Sequence, residues 1–77
     1  MPKRELSGDE MEALKNQFTY HAPQGDQVER YALINDAAFK FAQTVLECTP
    51  RCADQSAAIR QIREARMTAN SAIACNE

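Results

Sequence analysis

Between Asp26 and Glu77 the apolar positions recur at alternating steps of three and four residues. Tyr31, Ile34, Ala38, Phe41, Val45 and Cys48 fall on one stripe of a helix at that spacing. A second segment keeps the step through Ile59, Ile62, Arg66, Ala69, Ile73 and Asn76, with Ala58, Ala65 and Ala72 beside them. Small side chains on that stripe let two helix backbones approach closely. Pro50, between Cys48 and Cys52, has no N–H and clashes with the preceding turn, so the first helix must stop there. The pattern predicts an all-α fold built on a long antiparallel hairpin, with helices over 26–48 and 53–76.

Upstream, Ser7 and Glu10 have the S-x-x-E form of a capping box, and Asp9 suits the positive end of a helix dipole. They predict a short helix over 7–17, with Met11 and Leu14 as its apolar side, after a frayed, charged terminus at 1–6. Pro23 and Gly25 make 18–25 a loop, and Asp26 is a candidate N-cap for the long helix. The whole chain, 1–77, reads as one helical hairpin domain.

A hairpin this small has almost no interior of its own. Phe39, Ala42 and Leu46 form a second apolar line beside the first, and a helix that is apolar on two sides has two neighbours. A homo-oligomer is therefore expected; the alternative is a monomer closed by the N-terminal helix.

Charge narrows the function classes. Net charge is −2, with five Lys/Arg against eight Asp/Glu in residues 1–50 and four against three in 51–77. That is not the basic surface of a protein that grips DNA or RNA polymers. No apolar run is long enough to cross a membrane, and the start lacks the apolar core of a signal peptide. A soluble intracellular protein with reduced cysteines is expected.

Cys48, Cys52, Cys75 and His21 would make a complete zinc ligand set, but Cys75 lies roughly 33 Å along a helix from the other two cysteines at about 1.5 Å per residue. No metal or other cofactor is expected. Catalysis needs a nucleophile with a base in reach, and the sequence fixes no such partner for His21, so the protein is not expected to be an enzyme.

The hairpin topology gathers one constellation. The Phe18–His21 loop, Arg30, Asn35, Asn70 and Ser71 belong to the same end. An aromatic plane, an imidazole, an amide and a guanidinium are what a nucleobase and a phosphate require. Phe18, Tyr20, His21, Arg30, Asn35 and Asn70 are candidate ligand-binding residues; the alternative is a solvated helix end, with Phe18 and Tyr20 plugging the hairpin. Arg60, Arg63 and Arg66 form a short basic strip, solvated or paired in a single chain. In a symmetric oligomer, copies of Arg66 could converge on an axis and gather phosphates.

The blocks Phe18-Thr19-Tyr20-His21, Pro23, Gly25-Asp26-Gln27, Arg30-Tyr31, Ala69-Asn70, Ala72-Ile73-Ala74 and Asn76-Glu77 resemble the hairpin domain of phage anti-CBASS cyclic-oligonucleotide sponges. A Thoeris-inhibiting sponge shares that domain. The resemblance covers about 16–77. It implies a phage protein acting in the host bacterial cytoplasm, which sequesters cyclic di- and trinucleotide messengers without cleaving them. It also implies a homohexamer, with dinucleotides held between paired protomers and trinucleotides on threefold axes. By position, Tyr20 would stack on a base of a dinucleotide, His21 would support the loop and Asn35 would face the phosphates. The pattern commonly has a basic residue at Asn35 and an Arg at Cys75, so two charges for phosphate are missing here. The competing function is a helical protein–protein interaction module or phage adaptor. A nucleic-acid-binding regulator fits less well, because the balance is acidic and no recognition helix is evident.

Overall fold

The computed structural model describes residues 3–77; the expectation for Met1 and Pro2 lies outside them. Three helices follow in order: α1 (Gly8–Phe18), α2 (Gln27–Cys48) and α3 (Ala53–Asn76). No strand forms among the described residues. The architecture is a short helix followed by a long α2–α3 hairpin.

Local chemistry sets the boundaries. Ser7 Oγ accepts from the Glu10 amide at 3.1 Å, and Glu10 Oε1 accepts from the Ser7 amide at 3.2 Å, so both halves of the capping box form. Arg4 joins this cap through Glu10 at 2.8 Å. Its guanidinium, followed by the bond from the Ser7 amide, holds the Glu10 carboxyl below its ordinary pKa. α1 runs one residue past the expected end, and Thr19 then turns extended.

Gln27 N donates to the Gln24 carbonyl at 3.0 Å, closing a turn in which Gly25 has φ 56. A side chain there would be strained in the left-handed region. Asp26 is the N-cap of α2, but its side chain makes no capping bond; it pairs with Arg30 at 3.1 Å. At the far end Thr49 is extended, as the residue before proline must be. Its hydroxyl donates to the Val45 carbonyl at 2.6 Å, and Gln55 Nε2 returns to the Thr49 carbonyl at 3.1 Å.

α2 faces α3 along nearly its whole length, whereas α1 touches only α3. Tyr31, Ile34, Ala38, Ala42 and Val45 are half-buried against Ala58, Ile59, Ile62, Ala69 and Ile73, of which Ile62 and Ile73 are buried. Two residues placed on the α2 stripe leave it: Phe41 is 60% exposed and Cys48 is exposed. Ala42 takes the place of Phe41, because a small side chain lets the helices close.

The resulting protomer is a thin plate, 48 × 43 × 13 Å. Its Cα radius of gyration is 17.2 Å, against about 11–12 Å for a compact domain of this length. Its accessible surface is 6521 Å², roughly 1,800 Å² more than size scaling gives for a compact 8.6 kDa monomer.

Candidate functional site

α1, the loop and the last turn of α3 meet at Asn16. Its carbonyl is bonded to His21 Nε2 at 2.8 Å, and its side-chain amide donates to the Cys75 carbonyl at 2.8 Å. Cys75 Sγ also lies 3.9 Å from the Asn16 carbonyl and 3.6 Å from the Ser71 hydroxyl. His21 thus fixes the loop from within, while Tyr20, its neighbour, stands 84% exposed.

Beside Tyr20 opens a cleft of about 470 Å³, walled by the loop, α2 and α3. Tyr20, His21, Asn35 and Asn70 line it together. Tyr31, Ser71 and Cys75 line it too. Sequence reasoning had set Tyr31 in the hairpin core, and had weighed Cys75 as a zinc ligand and as a missing charge but not as part of the cleft wall. The signal for Tyr31 lay in its position at α2's first turns, level with the loop.

Three candidates stand elsewhere. Phe18, at the end of α1, is 83% exposed and lies outside the cleft lining. Arg30 is turned away from the cleft into a clasp with Glu77. Arg30 Nη1 donates to Glu77 Oε2 at 2.6 Å, Nη2 donates to Oε1, and Gln27 Nε2 adds a bond to Oε1 at 3.3 Å. The Arg30 guanidinium, with Gln27 behind it, lowers the Glu77 pKa from an ordinary 4.5 to about 2. In return Glu77, and then Asp26, push the Arg30 pKa above its ordinary value.

Arg66, the third, lies outside the cleft lining and meets it only through Asn35. Its Nη1 lies 3.4 Å from Asn35 Oδ1, which also meets Asn70 Nδ2 at 3.4 Å. Among the described residues Arg63 and Arg66 pair with no carboxylate. Asn70 Oδ1 is buried and without a partner among them, as is Arg30 Nε. The cleft therefore offers an exposed aromatic plane and a cluster of amides, with one uncompensated guanidinium behind Asn35. This set can stack a planar ring and receive an anion.

The profile of the family described as "Acb2/Tad1, hairpin domain" matches residues 11–74, most of the chain. The chain belongs to the Acb2/Tad1 hairpin-domain family. This is the family of anti-CBASS and anti-Thoeris sponges, and the fold fits its hairpin. The match spans the loop, the α2 wall of the cleft, its α3 wall as far as Ala74, and Arg66, while Cys75, Asn76 and Glu77 lie beyond it, the last two being residues on which the resemblance also drew. No curated protein and no solved structure matches the chain.

A second depression, an apolar groove of about 390 Å³, runs along the hairpin between Ile34, Ala38, Phe41, Ala58 and Ala65. It is mostly apolar, with Gln61 and Arg66 as its polar lining. No described helix is long and apolar enough to cross a membrane.

Proposed function

We propose that this protein is an anti-defence sponge. It binds cyclic di- or trinucleotide second messengers intact in the host bacterial cytoplasm during phage infection, and so starves CBASS-type immune effectors of their signal. Membership of the Acb2/Tad1 hairpin family carries this reading. The exposed Tyr20 ring and the Asn35–Asn70 amide pair at one cleft, with the unpaired Arg66 beside Asn35, support it. Arg66 supplies the cation that the amide at Asn35 lacks, because Arg30 is already neutralised by Glu77 and Asp26. Binding without cleavage needs no nucleophile, no cofactor and no metal.

The working form is a homo-oligomer, in our reading a hexamer. The surface excess of roughly 1,800 Å² amounts to about two standard contacts at ~800 Å² a side. Two neighbours per protomer build a ring or a closed cluster rather than a simple pair. The same exposed apolar surface also fits the competing reading, a helical adaptor that docks on another protein.

Native mass spectrometry with a panel of cyclic di- and trinucleotides separates the two. A sponge keeps intact ligands in small whole-number ratios to protomers. Tyr20→Ala should weaken dinucleotide binding about ten-fold or more, since base stacking on an aromatic ring is worth ~1–3 kcal/mol per base. An assembly that ignores the whole panel would overturn the sponge reading in favour of the adaptor.

A further inference from the structure

Asn35 stands on the α2 wall of the Tyr20 cleft, Asn70 stands on the α3 wall, and Arg66 lies one helical turn before Asn70. Asn35 Oδ1 is a shared acceptor: Arg66 Nη1 and Asn70 Nδ2 each reach it at 3.4 Å. These contacts are long for hydrogen bonds, yet they settle which way the Asn35 amide points. A guanidinium carries donors only, so the Asn35 atom that meets Arg66 must be the oxygen. The reverse orientation would set the amide's own N–H groups against a cation that no carboxylate neutralises among the described residues.

The two amides alone could not make that choice. Without Arg66, a bond between them runs as well from Asn35 to Asn70 as from Asn70 to Asn35. Either sense strands one Asn70 atom. Here it is Oδ1, buried and without a partner among the described residues, and in the reverse sense Nδ2 would take its place. Arg66 breaks the tie. Asn35 Nδ2 is then left over: it makes no hydrogen bond among the described residues, and Asn35 is exposed. In a chain from Arg66 through Asn35 to a bound acceptor, each bond polarises the next. The guanidinium's charge is thereby felt in a cleft whose lining does not include it.

The acceptor that such a relay favours is an anionic oxygen, because a donor backed by a cation gains most from meeting negative charge. A nucleotide stacked on Tyr20 carries that oxygen on its phosphodiester. Resting on the sponge reading above, we propose that Arg66 is a positioning residue. It does not touch the ligand, but turns the Asn35 amide so that Nδ2 donates to a phosphate oxygen of a cyclic dinucleotide in the Tyr20 cleft.

The test is calorimetric titration of the full chain with cyclic di-GMP, cyclic di-AMP and cyclic di-UMP, followed by a double-mutant cycle on the tightest binder. Asn35→Ala should weaken binding about ten-fold or more, the loss expected for a hydrogen bond to a charged group. Asn35→Asp should weaken it at least as much, although it keeps an oxygen for Arg66. Arg66→Met keeps the apolar stem and removes the donors. Alone it should weaken binding about two-fold or more, because half of the amides would then face the wrong way. Added to Asn35→Ala it should change nothing further. Arg66→Lys, which also presents donors only, should bind like wild type. An equal loss from Arg66→Met in both backgrounds overturns the inference, since a direct phosphate contact or a merely structural role gives that result. So does an Asn35→Asp protein that binds as tightly as wild type, or a wild type that takes cyclic trinucleotides but no dinucleotide. Each of these leaves the sponge reading intact. If wild type bound no cyclic nucleotide of either kind, the sponge reading would fall with the inference. Should Arg66→Met fail to fold, Arg66→Gln replaces it, because a glutamine amide can face Asn35 with either atom.

Discussion

At Arg30 a cation that a phosphate could have met is held by two carboxylates of its own chain, Glu77 and Asp26. The clasp joins the first turn of α2 to the residue after α3, positions 47 residues apart in sequence. Its pH dependence has a definite sign. The Glu77 carboxyl is depressed from 4.5 to about 2 in the fold, so its ionised form is favoured by folding. The stabilisation is complete above the unfolded value near 4.5 and fades as pH falls towards 2, while Arg30 stays charged throughout. The difference in thermal midpoint between wild type and Glu77→Gln, followed by circular dichroism, should therefore be constant above pH 4.5 and shrink towards pH 2. Added salt should reduce it, because both groups meet solvent. A difference unchanged across that acid range would mean that the carboxylate charge plays no part. Sequence reasoning could place Arg30 at the right end of the hairpin but not foresee its partner. Nothing local marks Glu77 as its mate, and only the antiparallel register brings them together.

At the scale of elements, the helices and their hairpin were legible because each boundary has a local cause: the capping box at Ser7 and Glu10, Gly25 before α2, and Pro50 after it. Facing was less legible. Steps of three and four fit both Phe41 and Ala42, and the choice between them depends on how closely α3 approaches. The cleft was half legible. Tyr20, His21, Asn35 and Asn70 were chosen by residue type and shared end, whereas Tyr31 was hidden within an apolar stripe. What orders the cleft is the attachment of α1, which rests on α3 through little more than Asn16. Asn16→Ala removes the bond to the Cys75 carbonyl and leaves the backbone bond to His21. A hydrogen bond of this kind contributes about 1 kcal/mol net, so local opening of α1 should become about five-fold more frequent. Hydrogen exchange should accelerate by that factor in residues 8–18 and in the loop, with the α2–α3 hairpin unchanged. Equal acceleration throughout would show that α1 is not a separate unit.

For the whole molecule the dominant fact is a plate with little interior. Phe39, Phe41, Leu33, Leu46 and Val28 are each more than half exposed, at a cost of about 1.5–3 kcal/mol per large side chain left in water rather than buried. Two buried isoleucines cannot offset the conformational entropy of 77 residues. On the proposed reading these exposed side chains are covered by other copies of the chain, which would make good the deficit that thins the core. Phe41 is the most informative position, because it borders the alanine-lined groove and is 60% exposed in the protomer. Phe41→Glu should leave the helix itself intact, since glutamate is a good helix former, but should place a charge in the contact between copies. Sedimentation velocity should give wild type a mass several-fold above 8.6 kDa, and Phe41→Glu a smaller species. That species should also lose helicity and melt without a sharp transition, because a protomer freed from its neighbours keeps too little buried surface to fold cooperatively. If both proteins sedimented as 8.6 kDa monomers with equal, sharp unfolding, the hairpin would be stable on its own. The exposed rings would then have to be explained by a partner other than a second copy.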